Sequence, residues 1–352
     1  MAYTTVDNPE LYFQTKLWTG TGSSNTLTLD GSENMQPDWV WTKVRSHADS
    51  HSLQDSVRGA GKTIYSDAND AEYTDSTAIT SFDSDGYTLG TQGNVNLNTR
   101  TFVSWNWKAE TSFSNDASAT SVGTIDSTGS VNTTAGFSII SYTGTGSVGT
   151  VAHGLGVTPK MIIFKNRSTA SNWLVYHEDV GNTKNLYLDA TNAEHDRSDT
   201  FNDTSPTSSV FTVGTADLNT DGHSIIAYCF SEIKGYSKFG SFTGNASTDG
   251  PFLYTGFKPA YFLVKNASDG SANWQVWDNK TSPFNEVQAH LYPNTTGAEV
   301  TNSGYNNCDF LSNGIKVTED NGDFNGSGNT VIWMAFAESP FVNSNGIPNN
   351  AR

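Results

Sequence analysis

Thr101-Phe-Val-Ser-Trp-Asn-Trp107, Ser224-Ile-Ile-Ala-Tyr-Cys-Phe230 and Thr330-Val-Ile-Trp-Met-Ala-Phe336 are the three segments that decide how this chain is read. Each is short, strongly apolar and rich in β-branched or aromatic residues, which describes a strand rather than a helix. A strand apolar on both alternating faces belongs at the centre of a sheet. Working outward, each segment closes the same series of landmarks. An aromatic-Thr-Gly turn opens it: Trp18-Thr19-Gly20, Tyr142-Thr143-Gly144 and Phe242-Thr243-Gly244. A proline then leads an apolar strand that ends in lysine six residues on: Pro37 to Lys43, Pro159 to Lys165 and Pro259 to Lys265. A tyrosine follows with a glutamate seven residues downstream: Tyr65 with Glu72, Tyr187 with Glu194, Tyr292 with Glu299. The same order three times over describes a repeated unit of about 100 residues, and repeated units more often build surfaces than catalytic sites.

Composition agrees with this pattern. The chain has 352 residues, 16% charged, with nine Trp, fourteen Tyr and nineteen Phe to fill several modest cores. Turn signals are frequent, with Asp85-Gly86, Asp221-Gly222 and Asn313-Gly314 among them. The fold expected is all-β, three tandem antiparallel β-sandwich modules of jelly-roll-like character. The expected boundaries are an N-terminal arm at 1–15, modules at 16–110, 136–234 and 235–342, and a C-terminal tail at 343–352. Residues 111–135 are rich in Ser, Thr and Gly and read as a linker, which makes modules two and three a fixed pair and module one more loosely hinged.

Charge and cysteine usage exclude several classes. With 36 acidic against 19 basic residues the net charge is −17, and no dense basic cluster is present to meet phosphates, so no nucleic-acid partner is expected. No stretch is long and apolar enough for membrane insertion. The first residues show no signal peptide, so synthesis in a cytoplasm is expected. Cys229 and Cys308 lie in unlike contexts and make neither a disulfide framework nor a zinc site.

Each chemistry-bearing segment also has a packing reading. Gly59-Ala-Gly-Lys-Thr63 lacks the first glycine of a phosphate loop and runs into a strand-like segment. Glu72, Glu194 and Glu299 are repeated acidic positions, expected to be structural by accepting backbone N–H groups at a turn. Lys43, Lys165 and Lys265 read as solvated strand-end charges. Trp173, Tyr176, Trp274 and Trp277 are candidates for stacking on a glycan, with His51 standing in the first module where Trp173 and Trp274 stand in the others. Asp320-Asn-Gly-Asp323 lacks the spacing of a helical calcium loop. No nucleophile elbow or ligand cluster points to catalysis, so no catalytic residue, metal or cofactor is expected, and the chain reads as a non-enzyme.

With these segments laid out, the chain resembles a repeated β-rich domain of unknown function found in virion and tail proteins of tailed bacteriophages, especially those of marine bacteria. The resemblance is carried by Gln36-Pro-Asp-Trp-Val-Trp-Thr-Lys43 and Asp55-Ser-Val-Arg-Gly-Ala-Gly61, by His153-Gly-Leu-Gly156 and Pro159-Lys-Met-Ile-Ile-Phe-Lys-Asn166, and by Tyr254-Thr-Gly-Phe257 and Asp309-Phe-Leu-Ser-Asn-Gly314. It implies a virion structural protein, most naturally a tail-fibre or tail-tip component contributing to host attachment. The partners implied are other copies of itself, as a trimer, other virion proteins and a host-surface glycan. A capsid decoration protein and a polysaccharide-acting enzyme are the alternatives.

Overall fold

Each closing strand takes the central place expected of it. In a computed structural model that describes residues 3–301 and 307–350, it is hydrogen-bonded on one side to an opening strand and on the other to the proline-led strand. Met1, Ala2, Ala351 and Arg352, at the ends of the expected arm and tail, lie outside the described residues. One order recurs: opening, closing, proline-led, following. In the first unit these strands are Phe13–Thr19, Thr101–Trp107, Trp39–Val44 and Ser52–Asp55. In the second they are Phe137–Thr143, Ser224–Phe230, Met161–Asn166 and Leu174–His177, and in the third Ser237–Thr243, Thr330–Pro340, Phe257–Asn266 and Trp274–Asp278. These pairings are antiparallel throughout.

The two faces of each large sheet go to different places. One face packs beneath a smaller outer sheet, giving each unit a sandwich-like core of its own. In the first unit that core holds Trp18, Leu27, Tyr87 and Phe102. In the second it holds Tyr142, Phe164 and Phe211, and in the third Phe262, Trp277 and Phe324. The other faces meet one another. Trp39, Trp41, Trp105 and Trp107 from the first unit join Phe137, Ile163, Tyr228 and Phe230 from the second and Tyr261, Leu263, Trp274 and Phe336 from the third in one continuous core. Trp39 stacks on Tyr228 with ring centroids 4.4 Å apart, and Phe13 stacks on Phe336 at 5.4 Å. The expectation of a fixed pair with a hinged first module is therefore corrected. Apolar residues on the second face of every large sheet must be covered, and each unit covers the other two.

The 111–135 segment is not a linker either. Thr111–Asn115 and Ser127–Asn132 form a hairpin that extends the second large sheet, with Ser130 opposite Ile139. Its small polar residues resemble linker composition, but Ile125 and Val131 enter the second unit's outer core with Phe113 packed against it. The expected N-terminal arm is likewise held by its own chain. Tyr3 Oη donates to Gly256 O at 3.2 Å, Thr4 Oγ1 donates to Lys234 O at 2.9 Å, and the opening strand of the first unit begins at Phe13. The expected extended tail folds back, with Asn343 N donating to Ile347 O and Asn349 N to Phe341 O, each at 3.0 Å.

Candidate functional site

The lysines, the glutamates, Trp173 and Trp274 converge on the three junctions between units, whereas Tyr176 and Trp277 lie in the outer cores of the second and third units. A single geometry recurs there. Lys165, at the end of its proline-led strand, is buried and donates to Asn69 O of the first unit (3.1 Å) and to Asn166 O and Ser171 O of its own (3.0 and 2.7 Å). Lys265 reaches Thr191 O of the second unit at 3.0 Å and Asn266 O at 2.6 Å. Lys43 reaches Thr296 O of the third unit at 3.0 Å and Asp49 O at 2.6 Å. The expectation of solvated strand-end charges is thus corrected: each ammonium satisfies loop carbonyls that two units would otherwise bury unpaired. Burial pushes each of these lysines down to about 8.

The glutamates sit beside the lysines and cross the same boundaries. Glu72 N donates to Arg167 O at 3.0 Å, Glu194 N to Ala267 O at 2.7 Å and Glu299 N to Arg45 O at 2.8 Å. The acceptor is in every case the residue two beyond the junction lysine. Where that residue is arginine, the carboxylate also clamps it bidentately. Glu72 meets Arg167 at 2.9 and 3.0 Å, and Glu299 meets Arg45 at 2.7 and 2.9 Å. Where it is Ala267 no clamp exists, and Glu194 pairs with Lys184 of its own unit. The carboxylates of Glu72 and Glu299 therefore join units rather than fix a turn, while at Glu194 only the backbone N–H does so.

The glycan candidates are corrected by their burial. Trp173, Tyr176, Trp274 and Trp277 are at most 4% exposed and offer no ring face to a sugar. Trp173 Nε1 donates to Tyr65 O and Trp274 Nε1 to Tyr187 O, each at 2.8 Å across a junction. Tyr176 packs edge-on against Phe201, and Trp277 lies between Phe262 and Phe324. An aromatic residue that meets solvent and one that plugs a junction have the same sequence signature, so burial alone separates them. His51 completes the set in the first unit. Its Nδ1 accepts from Trp41 Nε1 at 3.0 Å, which places the ring proton on Nε2, 3.0 Å from Tyr292 O. Burial, with Lys43 adding to it, holds this imidazole well below its ordinary value.

A second layer of cross-unit bonds lies deeper. Tyr228 Oη donates to Asp55 Oδ2 at 2.7 Å, Trp105 Nε1 to Asp278 Oδ2 at 3.1 Å, and His177 Nε2 to Trp333 O at 3.3 Å. Asp55 also pairs with Arg58, both side chains fully buried, and Arg58 Nη1 stands 3.2 Å from Glu72 Oε2. Burial works to raise the Glu72 carboxyl, but Arg167 and Arg58 together outweigh it and hold it below the usual range. At Glu299 burial is opposed by Arg45 alone and wins, so that carboxyl is pushed up.

Asn96, Asn219 and Asn325 form a further repeated set that the landmarks of the sequence leave out, although each stands five residues before its closing strand. All are fully buried and tie the opening turn to the outer loops. Their Oδ1 atoms accept from Thr21 N, Thr145 N and Asn245 N at 2.9, 2.9 and 3.0 Å. Among the described residues no group of three or more His, Cys, Asp or Glu side chains is arranged to hold a metal ion. No helix among them is long and apolar enough to cross a membrane. A family model described as Domain of unknown function (DUF7483) matches residues 8–340. Neither a curated protein nor a solved structure matches the chain.

Proposed function

We propose, for a chain that belongs to the DUF7483 family, a structural role in a tailed-bacteriophage particle, as a tail-fibre or tail-tip component that contributes to host-surface attachment. The observation that carries this reading is where the repeated polar groups go. The lysines, the glutamates and the His51, Trp173, Trp274 set are all engaged in holding three units about one core. A protein whose repeated chemistry is directed inward meets its partners through shape and loops. Three units in one chain also present related loops several times over, and multiplicity strengthens weak surface contacts. An acidic surface of net charge −17 keeps such a block soluble at high copy number.

A decoration role on the capsid is the second reading, but it relies on a free arm to clamp a lattice. Residues 3–15 lie against their own chain instead, which favours the tail. The test is electron cryomicroscopy of intact particles with a labelled copy of the chain. Density at the distal tail supports the proposal, density over the head lattice replaces it with decoration, and a chain found in no particle overturns both.

A further inference from the structure

The opening strands are alike in sequence position but not in cover. In the second unit the outer edge of Phe137–Thr143 is filled by Ser127–Asn132 of the 111–135 hairpin. In the first unit Phe13–Thr19 is an edge strand. Its even-numbered residues face the closing strand, as Tyr12 O accepting from Lys108 N and Gly20 N donating to Arg100 O establish. The backbone N–H and C=O groups of Phe13 and Thr15 therefore point outward. No hydrogen bond to them is formed among the described residues. A row of backbone groups without intramolecular partners on a sheet edge is a template for an added strand. In the third unit the matching edge is partly closed, with Ser237 N donating to Ile233 O and Ser237 Oγ to Ser231 O.

What the Phe13–Thr15 edge faces is a cleft of about 360 Å³ whose far wall is the third unit. That wall presents Ala260, Asn279 and Ala337, flanked by a Lys258–Glu338 pair at 2.7 Å. By the repeat, Ala260 and Asn279 occupy the positions of Asp38 and Ser56, which stand beside the 111–135 hairpin in the junction of the first and second units. The cleft is thus the place that the fold itself fills with a strand one junction away. Thr15 enlarges it, standing where the other units have Ile139 and Phe239. The Thr15 hydroxyl and the Asn279 carbonyl oxygen are buried and lack partners among the described residues. A cleft walled on its far side has room for one extended segment and excludes a second folded sheet.

We propose that this cleft is a strand-accepting site, which takes an extended, small and uncharged segment of another polypeptide as an added antiparallel strand on Phe13–Thr19. Backbone bonds to Phe13 and Thr15 supply the affinity, and the narrow space opposite Thr15 selects small side chains of the kind Ser130 presents to Ile139. The cleft accepts a strand whatever larger assembly the chain serves, so a failed search for the particle leaves it standing.

The test uses the full chain and a synthetic peptide of residues 125–134, whose sequence already pairs with the equivalent edge. Saturable binding is expected, with slowed exchange of the Phe13 and Thr15 amides. Thr15→Pro removes an outward N–H and spares the ladder to the closing strand. It is expected to weaken binding by about tenfold. A cysteine-bearing peptide is expected to cross-link to Lys280→Cys, which lines the cleft and is exposed, and not to Lys238→Cys; this arm holds even if the proline variant fails to fold. A peptide that protects neither amide, or that cross-links equally at both positions, overturns the proposal. Protection of the same amides by raising the concentration of the chain alone overturns the commitment to a different polypeptide, since a second copy is then the donor.

Discussion

The junction of the first and second units and the junction of the second and third share a backbone plan and differ in charge. Both carry the buried lysine, the tryptophan-to-carbonyl bond and the glutamate N–H bond. Only the first has a glutamate clamped on arginine and backed by a second arginine, Arg58. At the other, Ala267 leaves Glu194 to its own unit, yet the backbone bond there is 2.7 Å against 3.0 Å at Glu72. The lesson is that lysine caps and backbone bonds set the junction, while the ion pairs are additions whose worth depends on how completely each charge is matched.

Removing Arg58 is the most severe way to break this comparison. Arg58→Met leaves the Asp55 carboxylate buried with only Tyr228 and backbone groups for company, at an expected cost of about 4 kcal/mol. Chemical denaturation should show it as a lower midpoint with an unchanged slope. The matching position of the third unit, Thr281, donates its backbone N–H to Asp278 at 2.8 Å, so its change to Ala should cost far less.

Next come the lysines. Lys43→Met, Lys165→Met and Lys265→Met each leave two or more carbonyls without a donor and should cost about 3 kcal/mol apiece. Similar losses at all three would show that the cap is common to the junctions. A loss at Lys165 alone would tie stability to the ion-pair junction instead. Thermal unfolding of the three variants side by side decides between these outcomes.

His51 gives the junction of the first and third units a pH dependence, as His177, pushed down to about 4 by burial, gives one to the junction of the second and third. The unfolded chain protonates the His51 ring near 6.5, whereas the folded chain resists until much lower. Its contribution is therefore complete above pH 6.5 and is lost as pH falls below it, by up to about 1.4 kcal/mol per unit. His51→Gln keeps a donor for Tyr292 and an acceptor for Trp41. It should lessen the slope of stability against pH between neutrality and pH 5, leaving the part that His153, His177 and His290 supply, and an unchanged slope would remove His51 from the account.

The glutamates give the smallest effects and the sharpest ranking. Glu72→Gln should cost about 1.5 kcal/mol at neutral pH, reduced from a fully buried pair by its partial exposure. Because the Glu72 carboxyl is held below the usual range, its contribution is present above the unfolded value and lost as pH falls through the folded one. The gap between the wild type and this variant should close in acid. Glu299 is shifted the other way, so its ionised form gains less from folding. Glu299→Gln and Glu194→Gln should each lie within about 0.5 kcal/mol of the wild type. Urea titrations at pH 7 and pH 4 would establish the order.

Much of the fold was legible because it depends on local pattern. Apolar runs such as Ser224–Phe230 announce a central strand wherever they occur, and the repeated Pro-to-Lys interval announced its neighbour. The site was legible as a set of positions and misread as to role. Lys165 and Trp173 carry the same letters whether they face water or a neighbouring unit. The hairpin at 111–135 was missed because small polar residues suit a linker and a covering strand equally well.

The sequence by itself determined that the fold is all-β, which strands lie at the centres of sheets and which landmarks recur along the chain, since periodicity and spacing are properties of neighbouring residues. Only the tertiary structure decided that the units share one core, that the recurring lysines and aromatics face one another across junctions, and that the Phe13–Thr19 edge is left uncovered where the matching edge of the second unit is paired. Those facts depend on which apolar face covers which, and contacts between residues far apart in the chain leave no local trace.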